Sequence, residues 1–470
     1  MRRAWRGAAV ALLLGGCATS AINENYDAAS AFAKDRLGVD PRWLATDEER
    51  QQAASDTEAL LAKPLGANDA VRIALGHSPA VQAVLFESAA GSASATQSAR
   101  LPNPIFAFER LLRTEGGVRE LEITRSLAVS IFDVLLLPSR LRLADYQQQQ
   151  LRLRMSSDLV QAASDARQTW VRAVAAQQSV GYFEQVKAAA DAGAELARRM
   201  QAAGNFNRLR RAREQAFSAE AVAQLARARQ NAQSTREALV RVLGLDDAQA
   251  AALKLPERLP DLPAAPHDEK TTAQKALEQR LDVRMAKGNL EFTAREQGLT
   301  RVTSIVNGLH LGAVDNKETG RATQRGYELE LPLPIFDFGD TLRARAQATY
   351  MAALNRTGQV AIDASSQVRE SYSSYRTAYD LARHYRDEIV PLRKTIAEEN
   401  MLRYNGMLIG VFELLADARE QIGSVVQAID AQRDFWLADA ALQAALIGRP
   451  MGSVALESGG AGKASAQRSH

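Results

Sequence analysis

Few side chains in this 470-residue sequence are of types suited to chemistry, and their spacing decides which chemistry is open to them. The five histidines, His77, His267, His310, His384 and His470, are scattered without ligand spacing, so no metal centre is expected. No glycine-rich phosphate loop, nucleophile elbow or paired-carboxylate motif occurs, so neither an enzyme nor a cofactor is expected. One position stands apart. The single cysteine, Cys17, follows Leu14-Gly15-Gly16, an apolar run from Ala8 to Leu14 and a basic start with Arg2, Arg3 and Arg6. That is a secretory leader, too short to stay as a membrane-spanning helix. A lone cysteine also excludes an intramolecular disulfide and any multi-cysteine metal site.

The leader resembles a bacterial lipobox. That resemblance implies a signal peptide over 1–17, with Cys17 carrying lipid as the mature N-terminus. Ala18 rather than an acid follows it, which fits outer-membrane sorting. The chain's formal charge of +3 resides in the leader: 58 basic residues less Arg2, Arg3 and Arg6 leaves 55, against 55 acidic. A neutral mature chain has no electrostatic footprint for nucleic acid. No apolar run long enough for a spanning helix follows the leader, so any bilayer crossing must use strands.

Strands are what two segments write. From Tyr327, Leu329, Leu331, Leu333 and Ile335 alternate with Glu328, Glu330, Pro332 and Pro334. An earlier copy alternates Leu121, Ile123, Leu127, Val129 and Ile131 with Glu120, Glu122, Thr124, Ser126 and Ser130. Both close on Ile-Phe-Asp, ending at Asp133 and Asp337, a spacing of 204. Period two means one apolar and one polar face.

The positioning elements recur in the same order. After a polar extension over 18–67, a helix is expected from Asn68 to about Arg100, broken by Leu101-Pro-Asn-Pro104. Strands follow at about 105–113 and 119–131, then helices at about 139–203 and 207–243, stopped by Gly244. The proline-rich stretch within 246–270 reads as a linker. Strands then return at about 303–314 and 324–335, with helices at about 341–405 and onward to 447. The tetrapeptide Ala-Arg-Glu-Gln at Ala212 returns at Ala418, a spacing of 206, so the register drifts little and duplication is implied. Residues 68–245 and 271–448 are the two repeats, and 449–470 is expected to be a disordered tail.

The fold class expected is mainly α with a small β-barrel contribution: duplicated long helical hairpins plus four amphipathic strands per chain. The first long helix, about 65 residues, extends about 100 Å. Four strands cannot close a membrane barrel, and an open edge in lipid leaves unpaired backbone groups. Eight strands is about the minimum for closure. Oligomerisation is therefore demanded if the strands meet lipid; three chains, a homotrimer, would give a twelve-stranded barrel of channel width.

This order of elements, with Asn103-Pro104 before the first strand, "PLPIFDFGD" after the last and "RYNGMLIGVFELLADAREQ" at the second hairpin, resembles the TolC-type outer-membrane efflux family. The likeness covers about Asn68 to Ile447. It implies a trimeric conduit in outer-membrane lipid that works with a periplasmic adaptor (membrane fusion) protein and an inner-membrane pump, of the proton-driven resistance-nodulation-division type. Efflux of heavy metals or drugs is the function implied; type I secretion and a purely structural envelope lipoprotein are the alternatives. The hairpin tips, Ala203, Gly204, Asn205 and Phe206 with Ile409, Gly410 and Val411, are the implied adaptor-docking surface. Glu398, Glu399 and Glu413 are candidate aperture acids. The first strand-to-helix junction departs from the family pattern, with "DVLLLPSR" where the second has Gly339.

Overall fold

The protein is described here by a computed structural model, covering residues 16–115, 117–268, 279–304 and 308–449. The leader before Gly16, the tail beyond Arg449 and the Cys17 side chain lie outside the described residues. In chain order the elements are α1 (Gly16–Leu37), α2 (Asp47–Leu61), α3 (Ala67–His77), α4 (Pro79–Ser98), β1 (Ile105–Glu115), β2 (Val118–Ser130), α5 (Ile131–Ala202), α6 (Arg208–Leu243) and α7 (Asp247–Ala252). They continue with α8 (Leu281–Thr303), β3 (His310–Glu318), β4 (Gln324–Glu330), α9 (Asp340–His384), a π-turn (Tyr385–Ile389), α10 (Val390–Asn405) and α11 (Val411–Ile447). The described residues are mainly helical, with one small antiparallel sheet among them, and both compact units draw on both sequence repeats.

Prolines account for most of the differences from the sequence expectation. The single helix expected from Asn68 to Arg100 is two helices. Pro79 pushes Ser78 into an extended conformation (ψ 125°), ending α3 there. Asn68 does not cap it; Gly66 holds the N-cap position, without a side-chain bond. The helix expected over 341–405 is likewise interrupted. Pro391 has no N–H to return to the preceding turn, and the chain widens to a π-turn in which the Val390 N–H reaches the Tyr385 carbonyl. At the last strand, Pro332 and Pro334 cannot donate to a ladder, so β4 stops at Glu330 instead of reaching Ile335. Thr303 ends α8 rather than opening a strand.

The first compact unit holds the sheet, the helical segments flanking it in sequence and the start of α1. Strand order is β1-β2-β3-β4, every neighbour antiparallel. β1 and β4 are therefore edges. Polar packing ties the adjoining helices together: Asn25 Nδ2 donates to Ser92 at 3.1 Å, and Ser92 Oγ donates to Gln148 at 2.8 Å.

The second unit holds both helical hairpin tips and most of the apolar core. Tyr375, Tyr379 and Phe435 interlock there, with Phe435 ring centroids 5.6 and 5.7 Å from the two tyrosines. The stretch after α7 is strapped onto this core. Leu253, Leu259 and Leu262 are buried; Trp436 Nε1 donates to the Pro260 carbonyl at 3.0 Å and the Tyr379 hydroxyl to that of Pro263 at 3.1 Å. Prolines hold it extended while its leucines reach inward. Arg280, fully buried, donates to the Ala445 carbonyl at 2.7 Å and to Gln367 at 3.0 Å, joining α11 to α9.

Candidate functional site

The sheet is inside-out. Residues directly opposite on neighbouring strands share a face, and alternate residues take opposite faces. The register therefore puts Phe106, Phe108, Leu112, Leu121, Ile123, Leu127, Val129, Leu311, Tyr327 and Leu329 on one face. Seven of these, Phe106, Phe108, Leu112, Leu127, Val129, Tyr327 and Leu329, rank among the exposed large hydrophobics, with Leu311 at the margin. On β2 and β3 the polar-face residues Thr124, Ser126, Ser130, Asn316 and Glu318 are only half-exposed. A soluble sheet covers its apolar face; here the two central strands shield their polar face instead, while β1 and β4 are exposed on both faces and β1 adds Ile105 and Leu111 to the polar one.

The polar face is acidic. It carries Glu109, Glu120, Glu122, Glu318, Glu328 and Glu330, with Arg113 as its basic member. Glu122 stands directly opposite Glu318, an unfavourable juxtaposition that Asn316 moderates by donating to Glu122 at 2.8 Å.

The two Ile-Phe-Asp junctions are built differently. In the first, Ile131 starts α5 directly after Ser130, and Asp133 in its first turn pairs with Arg140 at 2.8 Å. In the second, Asp337 accepts from the Gly339 N–H at 2.7 Å, turning the backbone to φ +72° at Gly339 before α9 begins. Both aspartates thus hold the polar junction, one by an ion pair and the other by a turn. The divergence noted in the sequence at "DVLLLPSR" is real: Pro138 lies inside α5, and no glycine turn is used.

The spacing of 206 also aligns Gly204 with Gly410 and Phe206 with Phe412 in the sequence, and at the tips the structure corrects that alignment. Gly204 (φ +77°) reverses the first tip, and the Asn205 N–H returns to the Met200 carbonyl at 2.9 Å. The corresponding position in the second tip is Met407 (φ +58°), with the Leu408 N–H returning to the Arg403 carbonyl at 2.8 Å. Both patterns are the paired C-terminal bonds of a left-handed helix cap. Gly410 instead matches Asn207, each holding the N-cap of the next helix, so Gly410 (φ −87°) does not make the reversal. The structural spacing is thus 203, from Gly204 to Met407, rather than 206.

The docking residues are not equally presented. Ala203, Gly204, Asn205 and Gly410 are exposed and Ile409 is half-exposed, whereas Phe206 is buried (8% exposed) and presents little ring surface. The Val411 side chain lies outside the described residues. Two neighbours that sequence reasoning missed are the prominent ones: Met407 is 93% exposed and Leu408 74%. The available signal was the apolar "MLIG" run between two polar helix ends. Glu398, Glu399 and Glu413 are exposed. Glu398 pairs with Lys394 at 3.9 Å, and Glu413 sits in the first turn of α11, where the helix dipole favours an acid.

Behind the tips the two hairpins are clasped. Glu214 on α6 accepts from Arg419 on α11, and the Tyr182 hydroxyl on α5 donates to the Ile422 carbonyl at 3.4 Å. Burial pushes the Tyr182 hydroxyl up to about 12, so it stays protonated. Among the described residues no group of three His, Cys, Asp or Glu side chains could hold a metal ion. No described helix is long and apolar enough to cross a membrane.

Solved structures match this arrangement. The Campylobacter jejuni CmeC outer membrane channel superposes with TM-score 0.72 at 15% identity, over 83% of this chain and 87% of that one. The open-state Neisseria gonorrhoeae MtrE outer membrane channel gives 0.66 at 16%, over 82% and 90%. The Vibrio cholerae outer membrane protein VceC gives 0.63 at 17%, over 81% and 96%. This is the fold of the TolC-type outer-membrane channels. The likeness is in fold alone, for no protein-family model and no curated protein matches the chain in sequence. The TolC-type fold accounts for the order of elements from α3 to α11, including strand pairs placed between long helices in each half.

Proposed function

We propose that the protein is the outer-membrane channel of an efflux system, acting as a homotrimer. The inside-out sheet carries this reading. An exposed apolar face on strands of seven to thirteen residues suits a bilayer, while an acidic face suits a water-filled lumen. Unpaired edges at β1 and β4 cost several kcal/mol per orphaned backbone group in lipid, and three copies joined edge to edge remove all of them. α5, 72 residues long, extends about 108 Å and supplies a wall for a conduit beyond the membrane. The similarity to outer membrane channels supports the same reading.

The partners follow from the family the sequence resembles: a periplasmic adaptor at the tips and an inner-membrane pump of the resistance-nodulation-division type as energy source. Met407 and Leu408 join Ala203, Gly204, Asn205, Ile409 and Gly410 as the docking surface, since exposed apolar groups such as Met407 and Leu408 gain by burial against a partner. Lipid on Cys17 anchors the mature chain in the outer membrane.

Reconstitution tests the channel. The detergent-extracted protein should have trimer mass by native mass spectrometry and conduct ions in planar bilayers. A stable monomer that leaves the bilayer silent would overturn the proposal. For docking, Asn205→Glu with Met407→Glu should leave the trimer intact while abolishing cross-links to the adaptor.

A further inference from the structure

The apolar face of the sheet is not purely apolar. The same register that collects its leucines and phenylalanines also places Arg110, Arg119, Arg125, Lys317 and Arg325 there, with Asp315 as the one acid. Five cations less one anion leave an excess of four, while the opposite face holds the glutamates. Asp315 bonds Arg325 at 3.1 Å and stands directly opposite Arg125, so both lower cations lie beside the one acid. Arg110, Arg119 and Lys317 form no ion pair among the described residues, and all three are exposed. On a lipid-facing surface an unpaired Arg or Lys at the bilayer midplane costs about 2–4 kcal/mol, falling toward zero at the interface. These side chains therefore need either counter-charge or a route to the headgroups.

Their placement provides the route. Val129, Leu311 and Leu329 stand level with one another at the helix-junction end of the sheet. Arg110 and Lys317 flank Ile123, six residues further along β2 and about 20 Å up the strand; Arg119 is four residues beyond, beside the β1–β2 turn. Between that level and Arg119 stands one more apolar pair, Leu112 opposite Leu121, and a long basic side chain on Arg110 or Lys317 has the length to reach past it to the headgroups. We propose that this upper part of the outward face docks the phosphate-bearing headgroups of the surrounding lipid, so that Arg110, Arg119 and Lys317 bind anionic lipid selectively. The inference rests on the reading of the sheet as a lipid-facing barrel wall.

The test is native mass spectrometry of the full-length protein titrated with phosphatidylglycerol or phosphatidylcholine of identical acyl chains. Wild type should retain the anionic lipid preferentially, by about fivefold for each cation engaged. Added sodium chloride should weaken that preference. The variant Arg110→Gln/Arg119→Gln/Lys317→Gln should keep trimer mass and conductance but lose the preference, whereas Glu109→Gln/Glu328→Gln on the other face should retain it. Equal retention of both lipids by wild type, an unchanged preference in the triple variant, or complete competition by millimolar inorganic phosphate overturns the proposal. Loss of trimer or conductance in wild type would instead strike the channel reading. If the triple variant does not assemble, the salt dependence of the wild-type preference decides: its absence overturns the proposal.

Discussion

Arg419 donates two hydrogen bonds of 3.0 Å to the carboxylate of Glu214, which is 2% exposed, and lies over the Phe217 ring at 4.3 Å. Each partner comes from one copy of the duplicated Ala-Arg-Glu-Gln: the glutamate from the first, the arginine from the second. The reciprocal pair has not formed, because Glu420 is held by Arg393 at 2.6 Å. Duplication supplied matched parts, and packing used only one of the two possible couplings.

Removing one partner leaves the other charge buried. Arg419→Met should therefore cost about 3–5 kcal/mol of local stability. Amide hydrogen exchange in α6 and α11 should accelerate accordingly. Glu214→Leu/Arg419→Met should recover most of the loss, since a well-packed apolar pair replaces the ionic one. Unchanged protection in the single variant would show that the pair stabilises nothing.

The two tips should answer differently to substitution. Gly204→Ala forces a β-carbon onto a left-handed backbone and should cost about 1–2 kcal/mol. Met407→Gly should gain about 1 kcal/mol by relieving the same conformation. Gly410→Ala, at an ordinary φ with open space around it, meets no backbone strain and should cost under about 1 kcal/mol, the loss of a glycine N-cap alone. Hydrogen exchange of the two turns distinguishes these outcomes from the sequence alignment, which treats Gly204 and Gly410 as equivalent.

At the second junction, a β-carbon on Gly339 lies 2.2 Å from the Ser304 carbonyl oxygen, and its φ is +72°. If the chain assembles as the proposed trimer, Gly339→Ala should then lower the yield of that trimer. Gly326→Ala on β4, with nothing within 4 Å, serves as the tolerated control. Equal trimer yields on a gel would refute the steric argument.

Asp439 supplies a pH test. Burial raises its carboxyl above the ordinary 3.8, while His267 at 3.6 Å and Arg167 oppose the shift. A raised acid contributes stability that is complete below the unfolded value and is lost as pH rises through the folded one. Asp439→Asn keeps an oxygen for Gln443, which donates at 2.7 Å, and removes the charge. The variant should melt higher than wild type at neutral pH and lose the decline that begins above pH 3.8. Parallel melting curves from pH 3 to 7 would contradict it.

The sequence alone determined whatever follows from period and punctuation. Alternation at Leu121 to Ile131 and from Tyr327 set the strands' two faces; Gly244 and the Pro-rich stretch after Lys254 marked real ends. The long proline-free run after Ser139 made most of α5, because nothing in it interrupts backbone bonding; the helix starts earlier than that run, at Ile131, and takes in Pro138 in its second turn. Proline breaks at Pro79 and Pro391 were equally legible in principle, since the missing N–H and the ring's clash are local. What tertiary structure decided was equivalence and exposure. Letters aligned Gly204 with Gly410, but the reversal depends on which residue the closing hydrogen bonds leave at positive φ, and that is Met407. Phe206 is as apolar as Leu408, yet one is buried and the other projects, because only the packing of the hairpins says which side of a turn is covered. Cross-strand register likewise gathered Arg110, Arg119 and Lys317 onto one face, although they lie on three strands and up to 207 residues apart, from Arg110 to Lys317.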